Sequence, residues 1–211
     1  MIGVLIVDDQ QLLRRGLRML LELQDGIDVV AEAADGAEAL AMIDKYRPSV
    51  VLTDARMPGM DGPALVAACA ERHPGTPVLV LTTFDDEPVV TAAVAAGAAG
   101  FLLKDTSPER LAEAVRGVLR GELIIDPRVA RLVVGPRSPG PDGPGPLARL
   151  TPTERVVAGH VAEGATNQAI AERMVLSEGT VKNHVSSLLR KLDQPNRTAL
   201  ALALLKWQRD S

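Results

Sequence analysis

The chain has 211 residues, 46% of them hydrophobic and 24% charged, with a formal net charge of −4. That length suits one large domain or two small ones, and an acidic whole is not a general nucleic-acid binder. The single cysteine, Cys69, excludes an internal disulfide and a cysteine-rich metal site, and in its apolar helical setting it reads as a small core residue.

The charge is unevenly spread. Residues 1–128 carry 12 Lys and Arg against 20 Asp and Glu, whereas residues 147–211 carry 9 against 6, a local excess of +3. An acidic module joined to a mildly basic one is predicted. The amino-terminal MIGVLIVDD meets two acids without a basic leader, so no signal peptide is expected there. No apolar run is long enough to span a bilayer, and a cytoplasmic protein is expected.

Gly3 to Val7 is a short apolar run that ends at Asp8–Asp9, a buried strand. Leu13, Leu17, Leu20 and Leu21 then mark one face of a helix. Val29 to Ala33 reads as a second strand and Gly36 to Tyr46 as a helix. Val50 to Asp54 is a third strand, followed by a helix over about Gly62 to Arg72. Val78 to Leu81 ends at Thr82–Thr83, and a helix runs on through about Gly97, with Pro88 tolerable in its first turn. Gly100 to Leu103 is the fifth strand, ending at Lys104. Leu111, Val115, Val118 and Leu119 form the last helical face.

Strands that do not alternate are covered on both faces, as in parallel sheets. Five of them alternating with helices predict an α/β domain with a doubly wound five-stranded parallel sheet. Asp8, Asp9, Asp54, Thr82 and Lys104 all fall at strand carboxyl ends, where such sheets bind ligands. Asp54 is the centre of that set, because Pro58, Gly59 and Gly62 turn the chain just after it. Three carboxylates drawn within a few ångströms repel by about 4 kcal/mol per pair at an effective dielectric of about 20. A hard divalent cation such as Mg²⁺ (or Mn²⁺) relieves that repulsion.

From Gly135 to Pro146 the chain reads GPRSPGPDGPGP, nine Pro or Gly in twelve residues, which predicts an extended tether. From Thr151 the pattern is helical throughout. Thr151-Pro-Thr-Glu154 is a capping box, a short helix runs from about Asn167 to Met174, and Ser177 caps a third helix with an apolar stripe at Val181, Val185, Leu188, Leu189 and Leu192. A final helix runs from Arg197 to Trp207. Two helices joined by a tight turn in a small basic all-α bundle describe a helix-turn-helix. The outward face of the third helix carries Asn183, Ser186, Ser187 and Arg190, with Lys182 at its edge. Thr166, Asn167, Thr180, Ser186, Arg190 and Arg197 are the expected phosphate contacts. A net +3 is modest, so a dimer on two half-sites of double-stranded DNA is expected.

These motifs together resemble a two-component response regulator of the NarL/FixJ type. LIVDDQQLLRRGL, VLTDARMPGMDG, LVLTTFDD and GFLLKD match the flavodoxin-like receiver over residues 1–125. LTPTERVV, ATNQAIAERMVLSEGTVKNHVSSLLRKL and NRTA match the LuxR-type helix-turn-helix, a small four-helix domain, over residues 148–211, with a linker at 126–147. The resemblance implies that Asp54 accepts a phosphoryl group from a sensor histidine kinase. Lys182 and Asn183 match base-reading positions in the family that the chain resembles, Lys suiting guanine acceptors and Asn adenine. It implies that Asp8, Asp9, Asp54 and the backbone carbonyl of Arg56 hold Mg²⁺, and that Thr82 and Lys104 contact the phosphoryl oxygens. It further implies that an aromatic at Phe101 changes rotamer on activation, and that the last helix pairs promoter-bound protomers through Leu200, Leu204 and Trp207. Family members commonly carry His where this chain has Gln10, and often Tyr at the place of Phe101; neither change removes a reacting group.

The sequence therefore predicts a DNA-binding transcription regulator switched by phosphorylation of Asp54, with no enzymatic activity beyond acquiring and losing its own phosphoryl group. The alternative is a DNA-binding regulator whose receiver works unphosphorylated, as a dimerisation or ligand-binding module.

Overall fold

The computed structural model describes residues 1–83, 86–134 and 146–210. Six parallel strands form one sheet in the order β2-β1-β3-β4-β5-β6: β1 (Ile2–Val7), β2 (Ile27–Ala33), β3 (Val50–Asp54), β4 (Val78–Thr82), β5 (Gly100–Leu103) and β6 (Ile124–Ile125). Helices α1 (Gln11–Glu22), α2 (Gly36–Tyr46), α3 (Gly62–Arg72), α4 (Glu87–Ala96) and α5 (Pro108–Leu119) alternate with the strands. Every residue of β3, β4 and β5 is buried, as non-alternating apolar runs require. Val4, Ile6, Val50 and Leu52 join a core with α1 and α5. Leu5, Val7, Val51 and Val80 join the opposite core with α2, α3 and α4. Among the described residues no helix is long and apolar enough to cross a membrane.

The predicted five-stranded sheet thus needs two corrections. A sixth strand, β6, lies beside β5 through the register Gly100↔Ile124 and Phe101↔Ile125. Two residues are too few for any periodicity, and the strand is held by main-chain pairing. A helix, α6 (Pro127–Val134), also occupies the first part of the stretch predicted as linker at 126–147. The Asp126 carboxylate accepts from the Arg128 N–H at 2.8 Å to start it, and Val129 and Val134 are buried in the core shared with α4. Most of the Gly135–Pro146 tether, residues 135–145, lies outside the described residues, as do Phe84 and Asp85 of the LVLTTFDD motif.

After a 3-10 turn at Pro146–Arg149 come α7 (Pro152–Ala162), α8 (Asn167–Met174), α9 (Glu178–Lys191) and α10 (Arg197–Asp210). The capping box at Thr151 and Glu154 forms in both directions. Val157, Val161, Ile170, Val181, Leu188, Leu200 and Leu204 make the bundle core. The turn between α8 and α9 passes through Val175, whose φ of 54° is the left-handed region and lets its N–H close the end of α8.

The two domains touch through α10. Ala199 and Leu202 on one side of this helix are buried in the receiver core with Val94 and Val134, while Leu200 and Leu204 on the other side close the helical bundle. The Thr198 hydroxyl donates to the Ala98 carbonyl at 2.7 Å, and the Leu123 N–H to the Gly164 carbonyl at 3.3 Å.

Candidate functional site

Asp8 and Asp54 end β1 and β3, which are neighbours in the sheet, so parallel pairing alone brings the two acids together. Carboxylate oxygens of Asp8, Asp9 and Asp54 lie within 4.8 Å of one another. Asp8 and Asp54 are buried and Asp9 is exposed, so the cluster opens to solvent on one side. The Lys104 ammonium, from the end of β5, bridges Asp8 at 3.0 Å and Asp54 at 2.8 Å. Gly62 backs the site closely: a Cβ there would stand 2.5 Å from the Asp54 carbonyl oxygen, so only glycine lets α3 start against the end of β3.

The electrostatics follow from burial. Loss of water raises the Asp54 carboxyl above its ordinary value; Lys104 pulls it back and Asp8 adds to the rise. Burial also works against the Lys104 charge, but the hydrogen bonds and charges of Asp54 and Asp8 outweigh it, and Lys104 is raised overall. A set of hard oxygen donors, two buried and one open to solvent, with surplus negative charge fits a divalent cation.

The other expected receiver residues fall where the sheet puts them. Thr82 is fully buried at the end of β4, and its hydroxyl donates to the Thr83 carbonyl at 3.0 Å rather than pointing to Asp54. Phe101 is fully buried in β5. The Arg56 main chain is at the cluster, where its N–H helps to pull the Asp54 carboxyl back down, while its guanidinium makes a two-pronged ion pair with Asp86. Sequence reasoning missed Asp86. Its only signal was an acid just before Glu87–Pro88 at a helix start, which reads as an ordinary cap.

On the helical domain, Lys182, Asn183, Ser186 and Arg190 are exposed along α9 and share one face. Thr180 is half-buried and its hydroxyl pairs with that of Ser177 at 2.8 Å; Thr166 caps α8 by accepting from the Ala169 N–H at 2.9 Å. Two expected phosphate contacts need correction. The Arg197 guanidinium is turned inward, donating to the Ala165 carbonyl and, at 2.8 Å, to the Asn167 Oδ1, and burial lowers its basicity. Arg197 and Asn167 therefore fasten α10 to α8. Two of the three dimer residues, Leu200 and Leu204, are corrected too. Leu200 and Leu204 are fully buried within their own chain and Trp207 is half-buried beside them, because a four-helix bundle this small needs them as core. Glu154 fastens α9 from the other side, accepting from Lys191 at 2.7 Å and Ser187 at 2.8 Å.

Comparison with known proteins agrees with this arrangement. Residues 4–116 match the response regulator receiver domain, and residues 148–204 match the bacterial regulatory proteins of the luxR family. The chain is 38% identical over 209 residues to the DNA-binding transcriptional activator DevR/DosR of Mycobacterium tuberculosis, covering 99% of this chain and 96% of that protein. It is similar to the response regulator ChrA of a heme-sensing two-component system, with TM-score 0.57 and 38% identity over 100% of this chain and 98% of that one. A structure of two RcsB dimers bound to two parallel DNAs matches with TM-score 0.58 and 28% identity over 97% of each chain. With an acidic receiver first, a basic helix-turn-helix second and relatives matched nearly end to end, the chain belongs to the two-component response regulators of the NarL/FixJ type.

Proposed function

We propose that this protein is a DNA-binding transcription regulator gated by a phosphoryl group that a sensor histidine kinase transfers to Asp54. The observation that carries this is the Lys104 ammonium 2.8 Å from the Asp54 carboxylate, with the Asp8 and Asp9 oxygens gathered beside it. An Asp54 oxygen attacks the phosphorus of the kinase's phosphohistidine as the phosphorus–nitrogen bond breaks and the imidazole leaves; Lys104 is placed to neutralise the oxygens of the arriving group. Asp8, Asp9, Asp54 and the Arg56 carbonyl would hold Mg²⁺ (or Mn²⁺), which supplies the remaining positive charge. The Thr82 hydroxyl turns from the Thr83 carbonyl to a phosphoryl oxygen, and Phe101 fills the space that movement vacates, carrying the change toward β6 and α4. The chain's own chemistry is limited to accepting and hydrolysing this group.

Lys182 and Asn183 read base edges in the major groove of promoter DNA, and Ser186 and Arg190 hold phosphates beside them. The modest charge of the domain calls for a homodimer on paired half-sites. With Leu200 and Leu204 spent inside the bundle, the dimer contact falls to other residues. The cytoplasm, which holds both chromosomal DNA and the kinase's phosphoryl donor, is where such a protein works.

The test is incubation with acetyl phosphate and Mg²⁺ followed by intact-mass measurement. One phosphoryl adduct is expected on the native chain and none on Asp54→Asn, with the fold unchanged. A native chain that takes up no phosphate would instead establish the receiver as an unphosphorylated dimerisation or ligand-binding module.

A further inference from the structure

Arg14 stands in the first turn of α1 and has no part in the chemistry described above. Its side chain is only 14% exposed, a degree of cover that an arginine accepts when its head is held. Nη1 donates to the main-chain carbonyl of Asp8, and Nε stands 3.6 Å from the Glu32 carboxylate near the end of β2. Glu32 is itself fixed by Arg18, one turn further along α1, at 2.9 Å. Arg18 also donates to the Val29 carbonyl at 3.2 Å, which ties the pair to β2. The Arg14 guanidinium is thus aimed at a peptide group inside the acidic site.

The acids of that site are held unequally. The Asp8 carboxylate accepts the Gln10 N–H at 2.8 Å and the Lys104 ammonium at 3.0 Å, and the Asp54 carboxylate accepts Lys104 at 2.8 Å. Asp9 is exposed, and among the described residues no side chain or N–H holds its carboxylate. The carbonyl of Asp8 and the N–H of Asp9 belong to one planar peptide unit. A donor that fixes this carbonyl fixes the plane, and with it the direction in which Asp9 leaves the strand. We propose that Arg14 is a positioning residue for the divalent cation: by holding the Asp8 carbonyl, it keeps the Asp9 carboxylate beside those of Asp8 and Asp54. The inference rests on the reading that these acids together take Mg²⁺ or Mn²⁺.

Charge and orientation act here with opposite signs. A guanidinium beside a cation site repels the ion, so by charge alone its removal strengthens binding. By orientation its removal weakens binding, since groups that orient metal ligands are typically worth about 10- to 100-fold in affinity. Arg14→Met and Arg14→Gln both remove the charge. Met has no donor, and the Gln amide ends short of the place the guanidinium reaches. The direction of the change therefore tells which effect governs the site. The lower end of that range fits, because Asp8 and Asp54 keep their other partners.

The experiment uses the full unphosphorylated chain and Mn²⁺, with the free ion followed by its electron paramagnetic resonance signal. The native chain is expected to bind the ion and Mg²⁺ to displace it. Arg14→Met and Arg14→Gln should each raise the dissociation constant about tenfold. Arg14→Lys, which keeps the charge and one donor, should fall between them and the native chain. Arg18→Met breaks the other half of the Glu32 pair without touching the Asp8 carbonyl, and should bind as the native chain does. Thermal midpoints in EDTA identify any variant that has lost its fold; if Arg14→Met is one, Arg14→Gln carries the comparison. Native-like or tighter binding by the folded Arg14 variants overturns the positioning role. An equal loss in Arg18→Met overturns it as well, since the arginines would then be an ordinary brace between α1 and β2. A native chain that binds no ion would remove the metal reading itself and the proposal with it.

Discussion

The side-chain amide of Asn196 donates to the Val94 carbonyl at 2.9 Å, joining the start of the last helix of the DNA-binding domain to the end of a receiver helix. The same amide reaches the Ala95 carbonyl at 3.0 Å, and its Oδ1 accepts from the Ala199 N–H at 2.9 Å, capping α10. One side chain thus starts a helix and ties two domains. These carbonyls belong to the last turn of α4, where that of Val94 also accepts from the Gly97 N–H at 3.1 Å.

Asn196→Asp separates these roles. The carboxylate still caps α10 but has no N–H for Val94 and Ala95, and its charge faces two carbonyl oxygens. The loss of two interdomain hydrogen bonds, each worth about 1 kcal/mol, should loosen the domains while α10 remains helical. Small-angle scattering should show a larger radius of gyration, with unchanged helix content by circular dichroism.

Lys104 holds two buried carboxylates apart from their mutual repulsion. Lys104→Met should lower stability by about 3 kcal/mol in EDTA, the size expected when one partner of a buried ion pair is removed. Mg²⁺ should recover much of the loss, so its addition should raise the thermal midpoint of this variant more than that of the native chain. Equal shifts in both would mean that the ion does not sit with Asp8 and Asp54.

Glu154 is held well below its ordinary value of 4.5, to about 2, first by the Lys191 ammonium and then by the Thr151 N–H and the Ser187 hydroxyl. A carboxyl lowered on folding adds stability above its unfolded value, and that stability is lost as pH falls through the folded one. The DNA-binding domain should therefore weaken between pH 4.5 and about 2. Glu154→Gln should be less stable at neutral pH and should flatten the acid limb of a denaturation series.

Lys182 and Arg197 should behave differently, although both looked like DNA contacts. Lys182→Ala should weaken specific binding by about 1–3 kcal/mol without changing the thermal midpoint or phosphate uptake. Arg197→Ala leaves the Ala165 carbonyl and the Asn167 side chain without their donor, which should cost about 1–3 kcal/mol of folding stability. Fluorescence anisotropy on DNA selected from random oligonucleotides, beside urea denaturation, checks both.

Much of this was legible from residue order. Asp8, Asp54, Thr82 and Lys104 stand at the ends of apolar runs, and parallel pairing of those runs can only bring their ends together. Thr151 and Glu154 form their capping box from neighbours in sequence, and the stripe from Val181 to Leu192 tells which face of α9 is buried. Such features depend on local spacing, which a chain carries with it whatever it packs against.

The remainder depended on what lies opposite. Periodicity says that Leu200 and Leu204 are buried but not whether the covering surface belongs to the same chain or a second copy; the bundle settles it, since these side chains fill its centre. The polar character of Arg197 suggested a phosphate partner, whereas the fold supplies Ala165 and Asn167, and it likewise brings Asp86 to Arg56 from a distant segment. The strand at Ile124–Ile125 is too short to leave a pattern and is held by the edge of β5, and the helix after it is held by α4 and α10. Sequence by itself determined which residues seek burial, caps or charge, because those tendencies act over a few neighbours. Only the tertiary structure decided which partner each one meets, because that choice is made by surfaces the chain brings together from a hundred residues apart.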